Sequence, residues 1–137
     1  MRLVVDLTLP TEARVITRTR RFVAGYLEDL GVEAEVRDDV ALALAEACTN
    51  VMLHAFPGSS TESFHLSASV EPDEVCLVIE DTGVGLPPDR AECDATLVDL
   101  TATSGRGLHM IRKLMTDVAV EPGPQARGTR LVMRRSL

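Results

Sequence analysis

Basic residues are in short supply. The 137-residue chain has 14 Lys and Arg against 21 Asp and Glu, a net charge of -7 at neutral pH. That disfavours nonspecific nucleic-acid binding, which needs a cationic surplus to displace counterions from phosphates. A small basic patch for a protein partner remains compatible. A long apolar run is also missing. The N-terminal MRLVVDLTLPTEAR is interrupted by Asp6 and lacks the apolar core of a signal peptide. No stretch reaches the roughly 18 residues needed to cross a bilayer. A cytoplasmic protein without membrane contact is expected. Cysteine is sparse: Cys48, Cys76 and Cys93 form no CxxC and pair with no histidine. This disfavours a disulfide framework or a zinc site. It fits reduced residues, with Cys48 and Cys76 expected to be buried. Neither a GxxxxGK[ST] phosphate loop nor a strand-led GxGxxG is present. No internal repeat or low-complexity linker interrupts the chain.

The composition is that of a soluble globular domain, 45 % apolar and 26 % charged. The length fits one domain over residues 1–137. Residues 2–8 read as a strand. Pro10, Thr11 and Glu12 open a helix in which Thr11 is the expected cap. Val15, Thr19, Phe22, Val23, Tyr26, Leu27 and Leu30 recur at helical spacing, and Gly31 ends the run. A second helix is expected from about Arg37 to Ala55, with Val40, Ala43, Leu44, Ala47, Cys48 and Val51 as its apolar stripe. Residues 56–63 read as a turn. Residues 63–71 alternate like a half-buried strand, and 74–81 read as a more continuous, central one. Pro72 and Asp73 join them as a hairpin. Residues 83–104 are long for a plain connection and suit a binding loop or lid. A helix then resumes from Ser104, with Leu108, Ile111, Leu114 and Met115 inward. Strands at 117–121 and 128–135 close the chain. The order β-α-α-β-β-loop-α-β-β predicts an α+β two-layer sandwich, a mostly antiparallel mixed sheet with helices on one face.

Three groups of residues carry chemistry. Glu46, Asn50 and His54 are spaced i, i+4, i+8 and share one face of the second helix. An acid and an amide one turn apart among apolar neighbours are costly to bury unless something satisfies them. Asn50 supplies a hard oxygen for a cation such as Mg²⁺, and Glu46 can accept a proton or orient a water. A solvated polar face is the alternative. The second group is Asp81, Gly83 and Gly85. A carboxylate at a strand end can accept from an exocyclic amine such as adenine's, and the glycines let a ring lie against the backbone. A plain glycine turn is the alternative. The third is Ser104, Gly105, Arg106, Gly107 and Leu108, which opens a helix. Bare backbone N–H groups there form a phosphate cradle, and Arg106 adds a guanidinium. The alternative is a Ser104 N-cap followed by two flexible residues.

Taken in order, ExxxN on a helix, DxGxG after a strand, GxG after a long loop and Gly128-Thr129 resemble the Bergerat-fold ATPases. These include gyrase-type topoisomerases, heat-shock chaperones, mismatch-repair ATPases and sensor histidine kinases. EACTNVMLHAF and DTGVGLP look most like the anti-sigma-factor serine/threonine kinases. The resemblance implies ATP and Mg²⁺ as cofactors. It makes Glu46 the general base and gives Asn50 the metal. Asp81 would bind the adenine amine, with Gly83 and Gly85 shaping the base pocket. Gly105, Arg106, Gly107 and Leu108 would face the phosphates, and Thr129 would lie near adenine and Asp81. The segment between Gly85 and Gly105 would be the lid. Where some members carry an arginine just before the second glycine motif, this chain has Thr103 and Ser104. Arg106 is the candidate substitute toward the terminal phosphate.

The implied activity is ATP-dependent phosphorylation of a Ser or Thr on a STAS-type anti-sigma-factor antagonist, coupled to sequestration of a sigma factor. A homodimer is a further possibility, and no direct nucleic-acid partner is expected. Histidine kinase is the weaker match, because His54 lies inside the second helix and His65 in a strand. The rival from another class is a binding module that sequesters a regulator, with ATP structural or absent. Arg14, Arg18, Arg20 and Arg21 on the first helix would suit an acidic protein surface, or else form a solvated face.

Overall fold

The computed structural model describes residues 2–55, 63–83, 103–123 and 128–137. The chain runs β1 (Arg2–Pro10), α1 (Ala13–Asp29), α2 (Ala34–Asn50), a π-helical turn (Val51–Ala55), β2 (Ser63–Val70), β3 (Glu74–Asp81), α3 (Thr103–Leu114), β4 (Asp117–Pro122) and β5 (Thr129–Ser136). The five strands form one sheet in the order β1-β2-β3-β5-β4. Every pairing among them is antiparallel, so the expected mixed sheet is wholly antiparallel across the described strands. No described helix is long and apolar enough to cross a membrane.

The period-2 pattern decides which face of the sheet is covered. In β2, Phe64, Leu66 and Ala68 are buried, and in β3 so are Val75, Leu77, Ile79 and Asp81. Their neighbours on the other face are only partly covered. On the inner face lie Ile16, Val23 and Leu27 of α1, Val40, Ala43, Leu44, Ala47 and Cys48 of α2, and Leu108 and Ile111 of α3. Truncating a fully buried member such as Leu44 to Ala would cost about 2–5 kcal/mol, because the packed layers collapse only partly around the gap.

Two ties fix how α2 lies on the sheet. Arg135 of β5 ion-pairs with Asp39 near the start of α2 and also donates to the Leu114 carbonyl ending α3, at 2.7 Å. Arg135 sits opposite Val75, at the start of β3. Helix α2 therefore begins over the start of β3 and advances toward its end. Asn50, eleven residues beyond Asp39, is about 16 Å further along the helix. Asp81, six residues beyond Val75, is about 20 Å further along the strand. The ends of α2 and β3 reach the same edge of the molecule, and α3 runs back from that edge.

Several expectations need correction. Helix α1 starts one residue later than Thr11 would have it: Glu12 is the N-cap, without a side-chain capping bond. Phe22 and Tyr26, read as part of its apolar stripe, are 52 % and 40 % exposed, while Ile16 takes the inner position. Gly31 does end the helix, at φ 83°, with Val32 N–H donating to the Leu27 carbonyl at 3.0 Å. Helix α2 begins at Ala34, and its α-helical part stops at Asn50. β3 is central, yet buried on one face only, and no described helix covers the other. Cys48 is buried, and desolvation pushes its thiol up to about 12. Cys76 faces the uncovered side and is only partly buried, although burial still raises its thiol. The expected turn at 56–62 and most of the expected lid fall outside the described residues, as does Cys93.

Candidate functional site

Asp81 is the last residue of β3 and continues its inward alternation, so its carboxylate is directed under the helical layer. It is only 5 % exposed. Burial raises its pKa, because a carboxylate is costly to remove from water; the backbone N–H groups of Gly83 and Thr129 pull it partly back. Gly83 N–H donates to Asp81 Oδ1 at 2.9 Å. Thr129 is the cross-strand neighbour of Asp81 on β5. Gly128 packs against the same strand end at φ 70°, and a Cβ there would stand 1.9 Å from the Asp81 carbonyl oxygen. Only glycine fits both that conformation and that approach. The sequence reading gave a role to Thr129 and none to Gly128.

Asn50 closes α2 on a face shared with Glu46. Both side chains are partly buried, and neither makes a hydrogen bond or ion pair among the described residues. Asn50 lies directly over Gly107 of α3: a Cβ on Gly107 would stand 2.7 Å from Asn50 Oδ1 and 2.8 Å from Nδ2. The helix resumed after the long loop thus meets the amide of α2 where it has no side chain. α3 begins at Thr103, so Ser104 is already helical and not its N-cap. Gly105 belongs to its first turn, where N–H groups lack intrahelical partners, whereas Gly107 lies one turn inside the helix. The side chain of Arg106 falls outside the described residues, as does Gly85. Leu108 turns its side chain into the core, leaving only its backbone for a ligand.

Past Asn50 the helix widens into the π turn Val51–Ala55. The i, i+8 spacing that put His54 in line with Glu46 and Asn50 runs through this turn, where the 3.6-residue period no longer holds. π turns of this kind concentrate at functional sites. A cleft of about 550 Å³, lined by Leu30, Val32, Val36, Val70, Pro72 and Leu137 among others, opens at the opposite end of the sheet, beside the β2–β3 turn. None of these groups lines it.

The residues present fit a Mg²⁺–nucleotide. A buried carboxylate beside a bare glycine turn can read an amine. A carboxamide oxygen without a partner among the described residues, seated over Gly107 of α3, can take a hard cation. Such groups suit a nucleotide-binding α+β sandwich. Residues 9–135 match the histidine kinase-like ATPase domain, and the chain belongs to that family. Among its relatives is the serine-protein kinase RsbW of Bacillus pumilus, 26 % identical over 125 residues, covering 85 % of this chain and 77 % of the relative. The anti-sigma F factor of Bacillus licheniformis is 26 % identical over 118 residues, covering 84 % and 80 %. The fold is shared with the RsbU and RsbW domains of a Mycobacterium tuberculosis protein at TM-score 0.66 and 14 % identity, covering 96 % of this chain but 31 % of that one.

Proposed function

We propose that this chain is a single ATPase domain acting as a cytoplasmic, ATP-dependent serine/threonine protein kinase. Its substrate is a STAS-type antagonist of an anti-sigma factor, and its unmodified partner is a sigma factor. The observation that carries the reading is Asn50 seated over Gly107, at the same edge of the sheet as the buried Asp81. The names of the relatives, a serine-protein kinase and an anti-sigma factor, support the choice of substrate and partner.

Phosphoryl transfer asks a protein mainly to hold, neutralise and align. Asp81 accepts from the adenine amine, with Gly83 N–H and Thr129 N–H fixing the carboxylate. The Asn50 oxygen would hold Mg²⁺, which neutralises charge on the phosphates when bound. The first-turn N–H groups up to Gly105 cradle those phosphates, and Arg106 is assigned to the terminal one. Glu46, one turn before Asn50 and without a partner among the described residues, takes the proton of the incoming Ser or Thr hydroxyl. The hydroxyl oxygen then bonds to the terminal phosphorus as its bond to the bridging oxygen breaks, and ADP leaves.

Glu46→Ala tests this directly. With radiolabelled ATP and a STAS-type antagonist, label transfer should fall by about a hundredfold or more, the usual scale of a lost general base. ATP affinity should stay within about threefold of the parent. Transfer at the parental rate would refute the assignment. Nucleotide binding with no transfer by the parent itself would select the sequestering module instead.

A further inference from the structure

The outer face of α1 has no counterpart among the described residues. Arg14, Arg18, Arg21, Phe22, Gly25 and Tyr26 follow one another at i, i+4, i+7, i+8, i+11 and i+12, opposite the buried Ile16, Val23 and Leu27. Phe22 and Tyr26 are 52 % and 40 % exposed, and their rings pack on each other with centroids 5.8 Å apart. Among the described residues, arginines elsewhere are engaged: Arg37 with Glu28, Arg130 with Glu80 and Glu121, Arg134 with Glu74, and Arg135 with Asp39. On this face Arg14 reaches the exposed Glu12 at 3.4 Å, while Arg18 and Arg21 make no ion pair or hydrogen bond among the described residues. In a chain of net charge -7, three arginines on one helix face, two of them unpaired among the described residues, are a local inversion of sign. Gly25 adds a third feature. It lies inside the helix, where glycine is a poor former, and a Cβ on it would meet nothing within 4 Å. Among the described residues its bareness serves no contact, and it leaves a flat step beside the Phe22–Tyr26 ring pair, in line with the arginines.

We propose that this face docks an acidic, amphipathic helix of a partner protein. Carboxylates of the partner lie along Arg14, Arg18 and Arg21, and its aliphatic ridge crosses Gly25 against the Phe22–Tyr26 ring pair. Charge selects this occupant. A second copy would bring two sets of unpaired arginines together, with Asp29 the only uncommitted acid on α1, since Glu28 faces Arg37. An extended polyanion, whether nucleic acid or membrane, would meet the field of the whole -7 molecule, whereas a single helix meets only the patch. The proposal stands without the kinase reading, because no residue of the nucleotide site belongs to this face.

The test titrates the ¹⁵N-labelled full chain with a short amphipathic helical peptide of Leu and Glu, and with the same peptide carrying Lys for Glu. Amide shifts should centre on residues 14–26 for the acidic peptide alone. Arg18→Glu combined with Arg21→Glu should weaken binding at least about tenfold, and Phe22→Ala about fivefold, with melting temperature and ATP affinity unchanged. The proposal is overturned if the Lys peptide binds as well, or if Phe22→Ala binds like the parent. It is equally overturned by dimers in size-exclusion chromatography that Arg18→Glu abolishes. Tighter binding to phosphatidylserine vesicles or single-stranded DNA than to the peptide would also overturn it.

Discussion

Asp81 places a charge where the fold alone would not. Its carboxyl titrates higher in the folded chain than in the unfolded one, chiefly through burial. The native state therefore binds that proton more tightly. Asp81 favours folding most when protonated, and this contribution is lost as pH rises from the ordinary Asp value of about 3.9 through the raised native value. Asp81→Asn keeps an oxygen for Gly83 N–H and removes the buried charge. Relative to the parent, its stability in urea should improve between pH 3 and pH 7. Its ATP affinity at pH 7 should fall at least about tenfold, since a charged acceptor is worth about 1.5–3 kcal/mol. A variant less stable than the parent at pH 7, with ATP binding intact, would contradict both halves. This site was legible in the residues because Asp81 closes a continuous apolar run and glycines follow. Gly128 was not: its need arises from β5 passing within van der Waals reach of Asp81, a contact between segments 47 residues apart.

At the level of elements, periodicity located each helix and strand, while the boundaries were set by contacts no local pattern encodes. The stripe assigned to α1 included Phe22 and Tyr26 because they recur at helical spacing. They are excluded from the core because the inner arc is already filled by Ile16, Thr19, Val23 and Leu27. The α-helical part of α2 ends at Asn50 because the π turn takes over there, and nothing in EACTNVMLHAF marks that change. Arg135 also went unnoticed, since its partners Asp39 and the Leu114 carbonyl come from two other elements. It joins β5, α2 and the C-terminal end of α3, where a cation also suits the helix dipole. Arg135→Ala should destabilise the chain by about 2–3 kcal/mol in urea, leaving a partly buried Asp39 without its ion-pair partner. Arg135→Lys should recover part of this, because both contacts are made by one nitrogen, Nη1, and an ammonium carries three donors. Loss of less than about 0.5 kcal/mol on truncation would mean that the tie is merely a surface pair.

For the whole molecule, the two local hairpins, β2–β3 and β4–β5, could be foreseen, whereas the strand order could not. β1 pairs with β2 across both helices, and β5 inserts between β3 and β4. That insertion sets Thr129 beside Asp81, and it also sets Arg135 beside Val75, so one strand carries both the proposed adenine end and the tie that anchors α2. The proposed nucleotide site is therefore a property of the assembled sheet: α2, β3, α3 and β5 each contribute a part that none could hold alone. A ligand bridging four elements binds the native state and not the unfolded chain, and at about a hundred times its Kd it adds about 2.7 kcal/mol of stability. For a chain of this size that raises the melting temperature by roughly 10 °C. ATP with Mg²⁺ should produce such a shift and EDTA should cut it. GTP should produce little, because guanine presents a carbonyl where adenine presents the amine that Asp81 accepts. Equal shifts with ATP and GTP would show that the base is not read at Asp81, and no shift with either would remove the nucleotide from the site.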